Sequence, residues 1–245
     1  MKRAMRYSAA LAVAAGLALA AGCSVNTKLV YVPNPPAADA PKLPAKVAVL
    51  PFEDGTENFT YRGGLFGKGQ YNLGKAGVAG GMGALPPEFW GKSFADELAA
   101  SGTFRSSRFV YGRSEVREED YLVEGTLKKA DFASSWEFPN AILASFRATR
   151  MSDGKRVWEK ESGASWESPD VSTACAVSMK CSIGKAHEDW NRRMNAVLAE
   201  ARKDFVAALA ALAEGGPGGS AGPKAAEQPA GEPVDRTIEN ILKGK

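Results

Sequence analysis

Histidine is almost absent from this chain: His187 is the single one among 245 residues. Any Ser-His-Asp or Cys-His catalytic arrangement would therefore have to use His187. The chain also has no H-E-x-x-H pattern, which is the local signature of a large class of zinc metalloproteases. His187 lies beside Glu188 and Asp189, as on a solvated helix face. We expect no enzyme activity, with a periplasmic hydrolase that uses His187 as the alternative.

The chain also lacks an excess of charge and a long apolar run. It has 31 basic and 28 acidic residues, and three of the basic ones but no acidic one fall within residues 1–22, so the remainder is formally neutral. No basic cluster is interleaved with aromatic residues, which excludes nucleic-acid binding. The apolar run from Ala9 to Ala21 is shorter than the roughly 20 residues that a membrane-spanning helix needs.

A glycine-rich stretch, Gly69 to Ala76, comes close to a phosphate-binding loop but does not complete it. The position that should carry the magnesium-binding hydroxyl is Ala76, and the stretch does not directly follow a predicted strand. We therefore expect no nucleotide partner and no cofactor.

The amino terminus carries an export signal. Lys2, Arg3 and Arg6 precede the apolar run, which ends in Gly22-Cys23; this order of charged, apolar and small residues is typical of a secretory signal. The cysteine directly after Ala20-Ala21-Gly22 resembles the lipobox of bacterial lipoproteins, although Leu19 lies one place earlier than the commonest pattern.

The lipobox resemblance implies cleavage before Cys23, a diacylglycerol thioether on its sulfur and acylation, such as palmitate, of the new amino terminus. Ser24 resembles the sorting residue of outer-membrane lipoproteins. We therefore expect a lipid-anchored protein of the cell envelope, on the periplasmic face of the outer membrane. The alternative is an ordinary secretory signal whose Cys23 ends in a disulfide.

Two further cysteines remain, Cys175 and Cys181. An even pair in an oxidising compartment predicts a disulfide, and so short a loop stabilises by roughly 2 to 2.5 kcal/mol in the chain-entropy model. A metal site that adds His187 is the alternative, but it lacks a close cysteine pair and a fourth ligand. We expect no metal.

Composition divides the chain into four parts. After a signal peptide, residues 1–22, residues 23–45 form a proline- and alanine-rich tether, which such sequences keep extended rather than packed. Residues 46–214 are long enough for one domain with a real core. Residues 215–245 are rich in Gly, Ala and Pro, a composition typical of disorder, with a short amphipathic end.

The pattern inside the domain predicts an α+β fold: one mixed, mainly antiparallel sheet with two helices packed on one face. The apolar run that begins at Val47 predicts a central strand. Alternation predicts strands from Tyr121 and from Ile142, and Ser152-Asp153-Gly154-Lys155 predicts a hairpin turn. Helical stripes predict one helix after Pro86-Pro87 and a second from about Lys185 to Ala213.

Several of these segments resemble one group of periplasmic lipoproteins over roughly residues 46–212. The segments are KVAVLPFEDGT, FADELAASGTF, DYLVEGTLKKADF and FRATRMSDGKRVWEKE. The group contains proteins related to the TolB amino-terminal domain, the curli-secretion lipoprotein and the YajG-like lipoproteins. It implies a non-catalytic role in envelope assembly, secretion or transport. The chain departs from the curli-secretion type, because it has no alternating segments long enough for transmembrane hairpins.

Two surfaces are candidates for binding another envelope protein. Residues 55–85 predict a long mobile loop because they are rich in glycine, yet they carry Tyr61, Leu65, Phe66 and Tyr71. The same loop could instead be the lid of a carrier for a small hydrophobic ligand. Trp136 is the second candidate, because it falls in a predicted turn; the other tryptophans are expected in the core.

Overall fold

A computed structural model describes residues 28–36, 40–63, 69–79, 81–134, 137–168, 175 and 178–214. The predicted signal peptide, Cys23 and the predicted carboxy-terminal tail lie outside these residues. The described elements are β1 Leu43–Val49, β2 Glu53–Asp54, β3 Arg62–Gly63, β4 Gly69–Asn72, β5 Val78–Ala79, β6 Met82–Gly83, α1 Pro87–Ala100, β7 Phe104–Phe109, β8 Tyr121–Ala133, β9 Asn140–Arg150, β10 Arg156–Trp166 and α2 Met179–Ala213.

The main sheet has the order β10-β9-β8-β1-β7, and the short strands β2 and β4 pair with β8. β1 is parallel to both of its neighbours, whereas β9 is antiparallel to both β8 and β10. Both helices pack on one face of this sheet and share its main core. The predicted α+β class, with a mixed and mainly antiparallel sheet, is confirmed.

β1 is buried on both faces, as its continuous apolar run predicts. Val47 and Val49 face the helices and belong to the main core. Ala48, between them, belongs to a small second cluster on the other face, together with Leu50, Val110 and Leu122. β1 is therefore the central strand against which α1 packs.

The antiparallel half follows the predicted alternation. Ile142, Ala144 and Phe146 of β9 are all buried against the helices, while Arg147 of the same strand faces the opposite side and pairs with Glu124. The turn to β10 contains Gly154 with φ at +69°, a left-handed conformation that favours glycine. The predicted hairpin is confirmed.

α2 runs antiparallel to β10. Asp189 Oδ2 accepts a 2.6 Å hydrogen bond from Trp166 Nε1, and Asp204 Oδ1 accepts one of the same length from Trp158 Nε1. The amino-terminal part of α2 therefore lies where β8 and β10 finish, which we call the Trp166 end of the domain. The turn at Gly154 marks the opposite end.

α2 is longer than its sequence pattern predicts. It begins at Met179 rather than near Lys185, because Ser178 acts as its N-cap and accepts a hydrogen bond from the backbone nitrogen of Cys181 at 3.4 Å. The predicted stripe does face the core, since the following residues are buried: Trp190, Met194, Val197, Leu198, Ala201, Phe205 and Leu209.

The structure differs from the sequence prediction at two segments. Residues 29–34 of the predicted tether pack on the helices, and β1 begins at Leu43, before the expected boundary. Within the predicted loop 55–85, β4 pairs with β8, and Leu73 and Met82 are fully buried. Leu85 N donates to Leu73 O at 3.0 Å. In both segments, apolar side chains are buried in the core, which composition alone does not predict.

Candidate functional site

Residues 29–34, which we call the strap, lie between the two helices. Leu29 is buried in the main core, and Tyr31 packs against it. Val32 N donates to Asn191 Oδ1 at 2.9 Å, and Asn34 Nδ2 donates to the carbonyl oxygen of Asn195 at 3.4 Å. The segment that follows the predicted lipid anchor is therefore held on the surface of the domain.

Glu97 of α1 is the polar centre of the strap contact. Its side chain is fully buried. Oε2 accepts from Tyr31 Oη and from Asn34 N, both at 2.9 Å, and Oε1 accepts from Asn34 Nδ2 at 3.2 Å. Arg202 of α2 completes the set, with its Nε 3.5 Å from Oε1. One carboxylate thus joins the strap to both helices.

The Glu97 contact also explains the ionisation state of Tyr31. Burial raises the pKa of the phenol well above its ordinary value, and the nearby Glu97 carboxylate raises it further. Tyr31 therefore stays protonated and donates its hydrogen bond to Glu97. A neutral phenol can donate a hydrogen bond to a buried carboxylate, whereas a phenolate would place a second negative charge beside it.

The sequence interpretation missed Glu97, although a signal was present. Glu97 follows Trp90 by seven residues and Phe94 by three, so it lies on the same helix face as the apolar stripe. A carboxylate in such a stripe is rarely buried unless it is paired. The pattern could have predicted a buried partner, but not that the partners would come from the tether.

An open groove of about 460 Å³ runs beside the strap. Its walls include Asn34, Glu188, Asn191, Arg192 and Asn195. Ala196 and Ala199 complete the lining, so polar and apolar side chains share this open groove. The space under residues 69–85 is filled by buried Leu73, Met82 and Leu85, so the described residues lend no support to a hydrophobic carrier site there.

Two of the predicted contact residues lie together. The rings of Tyr61 and Tyr71 are 4.9 Å apart, and Tyr71 lies 6.3 Å from the ring of buried Phe132. Tyr61 is 41% exposed, so this pair presents an aromatic edge on a part of the segment that is fixed to β8. Leu65, Phe66 and Trp136 lie outside the described residues.

The other tryptophans are core residues, as predicted. Trp90, Trp158, Trp166 and Trp190 are all buried. The rings of Trp166 and Trp190 meet edge to face at 5.3 Å, which is a favourable geometry for an aromatic pair.

The predicted disulfide is present between Cys175 and Cys181, with their Cα atoms 5.4 Å apart. It ties the chain before α2 to the first turn of that helix. Replacing both cysteines with serine should lower the free energy of unfolding by about 2 kcal/mol or less, because the closed loop is short. Denaturant unfolding measures this change. Two reactive thiols in the unreduced native protein would contradict the assignment.

His187 lies near the amino-terminal end of α2. His187 is half-buried on α2, and the acid two residues later, Asp189, accepts from Trp166 Nε1 and pairs with Arg192. Within the described residues, no group of His, Cys, Asp and Glu is placed to hold a metal ion. None of the described helices combines the length and apolarity needed to cross a membrane.

The face of the sheet opposite the helices is covered by ion pairs. Glu124 pairs with Arg113 at 2.6 Å and with Arg147 at 3.2 Å. The hydrogen bond from Arg108 lowers the pKa of Glu119 to about 2, so that carboxylate carries its charge at every physiological pH. This face therefore carries paired charges in addition to the buried cluster of Ala48, Leu50, Val110 and Leu122.

Comparison with solved structures shows that the fold is shared with protein XCC0632. Protein XCC0632 of Xanthomonas campestris, described by the family model DUF330, superposes with a TM-score of 0.52 at 13% identity, over 77% of this chain and 98% of its own. Lipoprotein GNA1162 of Neisseria meningitidis matches at 14% identity over 51% of this chain and 85% of its own, with a TM-score of 0.29. PelC of Paraburkholderia phytofirmans, solved as a dodecamer, matches at 13% identity over 67% of this chain and 91% of its own, with a TM-score of 0.37.

The match to XCC0632 confirms the architecture. Because the sequence identity is low, the match gives no information on activity. No family model matches the sequence, and no curated protein matches it.

Proposed function

We propose that this chain is a lipid-anchored, non-enzymatic protein of the bacterial cell envelope that binds or helps to assemble another envelope component. The strap is the observation that carries the proposal. It begins six residues after Cys23 and is fixed to both helices through Glu97. A lipid on Cys23 would therefore bring the folded domain close to the membrane surface, where an accessory protein acts.

A binding role agrees with an open surface groove better than the two alternatives do. A hydrolase would use His187, and the acid two residues later, Asp189, is already engaged by Trp166 and Arg192. A carrier of hydrophobic ligands would need a pocket that encloses its ligand, and the groove beside the strap is open. The groove is the surface that we assign to a protein partner.

The anchor is tested by mass spectrometry of protein extracted from membranes. We expect the mature chain to begin at Cys23 and to carry a diacylglycerol and an amide-linked acyl chain. Cys23→Ala is the control, and it should remain unacylated and leave the membrane fraction. An unmodified amino terminus at another position, with the wild-type protein in the soluble periplasm, would overturn the proposal. Recovery in inner-membrane fractions alone would overturn the outer-membrane location.

A further inference from the structure

The direction of the strap determines which end of the domain the lipid can reach. Val32 bonds to Asn191, and two residues later Asn34 bonds to Asn195. An extended chain covers in two residues about the 6 Å that a helix covers in four. The strap is therefore extended alongside α2 and runs in the same direction as that helix.

Followed backwards, the strap leads to the amino-terminal turns of α2, at the Trp166 end. Extrapolation at the same rate from Val32 puts Lys28 level with about residue 182 of α2. Five peptide links separate Lys28 from Cys23, and no chain can stretch five links beyond about 18 Å. An acylated Cys23 is thus confined to the neighbourhood of this end.

We propose that the Trp166 end of the domain lies against the phospholipid surface, so that the sheet stands on the membrane with the Gly154 turn pointing away. This proposal rests on the acylation of Cys23 proposed above. The surface consists of the first turns of α2, the β5–β6 hairpin and the start of the strap. Its occupant is a lipid surface rather than a second protein.

The hairpin belongs to this surface because it packs on α2. A Cβ atom at Gly81 would lie 2.5 Å from Cγ1 of Ile183, so the hairpin backbone rests directly on the second turn of the helix. Val78, at the start of the hairpin, is 62% exposed. The hairpin therefore presents Val78 to solvent beside the amino-terminal end of α2.

The exposed side chains at this end suit a lipid headgroup layer. Met179 is 72% exposed and Val30 is 66% exposed, which adds two apolar side chains to Val78. Lys180 and Lys185 are also exposed, and lysines near a bilayer are attracted to anionic lipids. Glu188 pairs with Lys185 at 2.7 Å, which leaves this acid partly neutralised.

The test measures how close each end of the anchored protein comes to lipid headgroups. The full acylated chain carrying Val78→Cys is labelled with a fluorophore and reconstituted into vesicles of phosphatidylethanolamine and phosphatidylglycerol that contain a headgroup-nitroxide lipid. The native cysteines do not compete, because Cys23 is acylated and Cys175 is bonded to Cys181. Met151→Cys is the matched control, since Met151 is also an exposed apolar side chain next to a turn.

Nitroxide quenching should be several-fold stronger at position 78 than at position 151. The 11 residues of β9 separate the two ends by about 36 Å, which is far beyond contact with a headgroup. Equal quenching, or stronger quenching at 151, would overturn the proposal. Protection of position 78 from a water-soluble quencher without lipid quenching would also overturn it, and would indicate a protein contact instead.

Flotation of the vesicles separates this proposal from the one on which it rests. If the wild-type protein does not float with the vesicles, the anchor and the orientation both fail. If it floats but position 78 is not quenched, only the orientation fails. Asn34→Ala, which removes side-chain bonds of the strap to Glu97 and Asn195, should reduce the difference between the two positions while flotation persists.

Discussion

Phe205→Ala is expected to lower the free energy of unfolding by about 3 to 5 kcal/mol, the range for a large-to-small change in a packed interior. Phe205 is fully buried on α2. Its ring centre lies 4.8 Å from that of Trp158, 5.6 Å from that of Phe104 and 6.4 Å from that of Tyr121. These rings come from three separate strands, so a cavity here cannot be closed by moving a single element.

Denaturant unfolding measures this change, with Lys203→Ala as the control. Lys203 is exposed two residues away on the same helix, and its replacement should change the free energy of unfolding by no more than about 0.5 kcal/mol. A loss below about 1 kcal/mol for Phe205→Ala would mean that the stripe of α2 is not packed on the sheet.

Glu97→Gln is expected to lower the free energy of unfolding by about 3 kcal/mol, the lower part of the range for breaking a buried ion pair. The amide keeps the size of the side chain but removes its charge, so Arg202, only 12% exposed, loses its partner. The single amide oxygen can occupy only one of the two acceptor positions, so either the bonds from Tyr31 and Asn34 N or the bond from Asn34 Nδ2 is lost. We therefore expect the strap to loosen, and trypsin to cleave after Lys28 faster than in the wild type.

Asp96→Asn is the matched control for Glu97→Gln. Asp96 is the adjacent residue on α1 and pairs with Lys92 on the surface, where an ion pair contributes about 1 kcal/mol at most. It should leave both stability and trypsin cleavage close to wild type. Similar losses for the two variants, or unchanged cleavage after Lys28 in Glu97→Gln, would contradict the role assigned to Glu97.

The central strand, the hairpin and the stripe of α2 could be predicted because each is a local pattern. Val47 to Leu50 form a continuous apolar run, and Gly154 stands where the turn requires a left-handed residue. Residues from Trp190 to Leu209 repeat at the helical period. In the strand and in the helix, the side chains that define the pattern are the ones that the sheet and the helices bury together.

The strap and the glycine-rich segment were not predictable in this way, because composition describes the average behaviour of a segment. Five prolines among residues 23–45 favour an extended chain, and the strap is indeed extended. Whether the strap packs on the domain depends on Leu29, Tyr31 and Asn34 reaching partners that lie more than 60 positions away in the sequence. The strand pairing of Gln70 with Ala133 likewise joins distant segments.

The sequence by itself predicted an export signal and a lipid anchor at Cys23, and it determined the α+β class and the pairing of Cys175 with Cys181. These features depend on neighbouring residues, on short-range periods or on a small number of possible partners. Only the tertiary structure decided that the strap docks on Glu97 and that it leads towards the Trp166 end. Both depend on which distant surfaces meet, since a buried carboxylate is stable only where donors from other elements reach it.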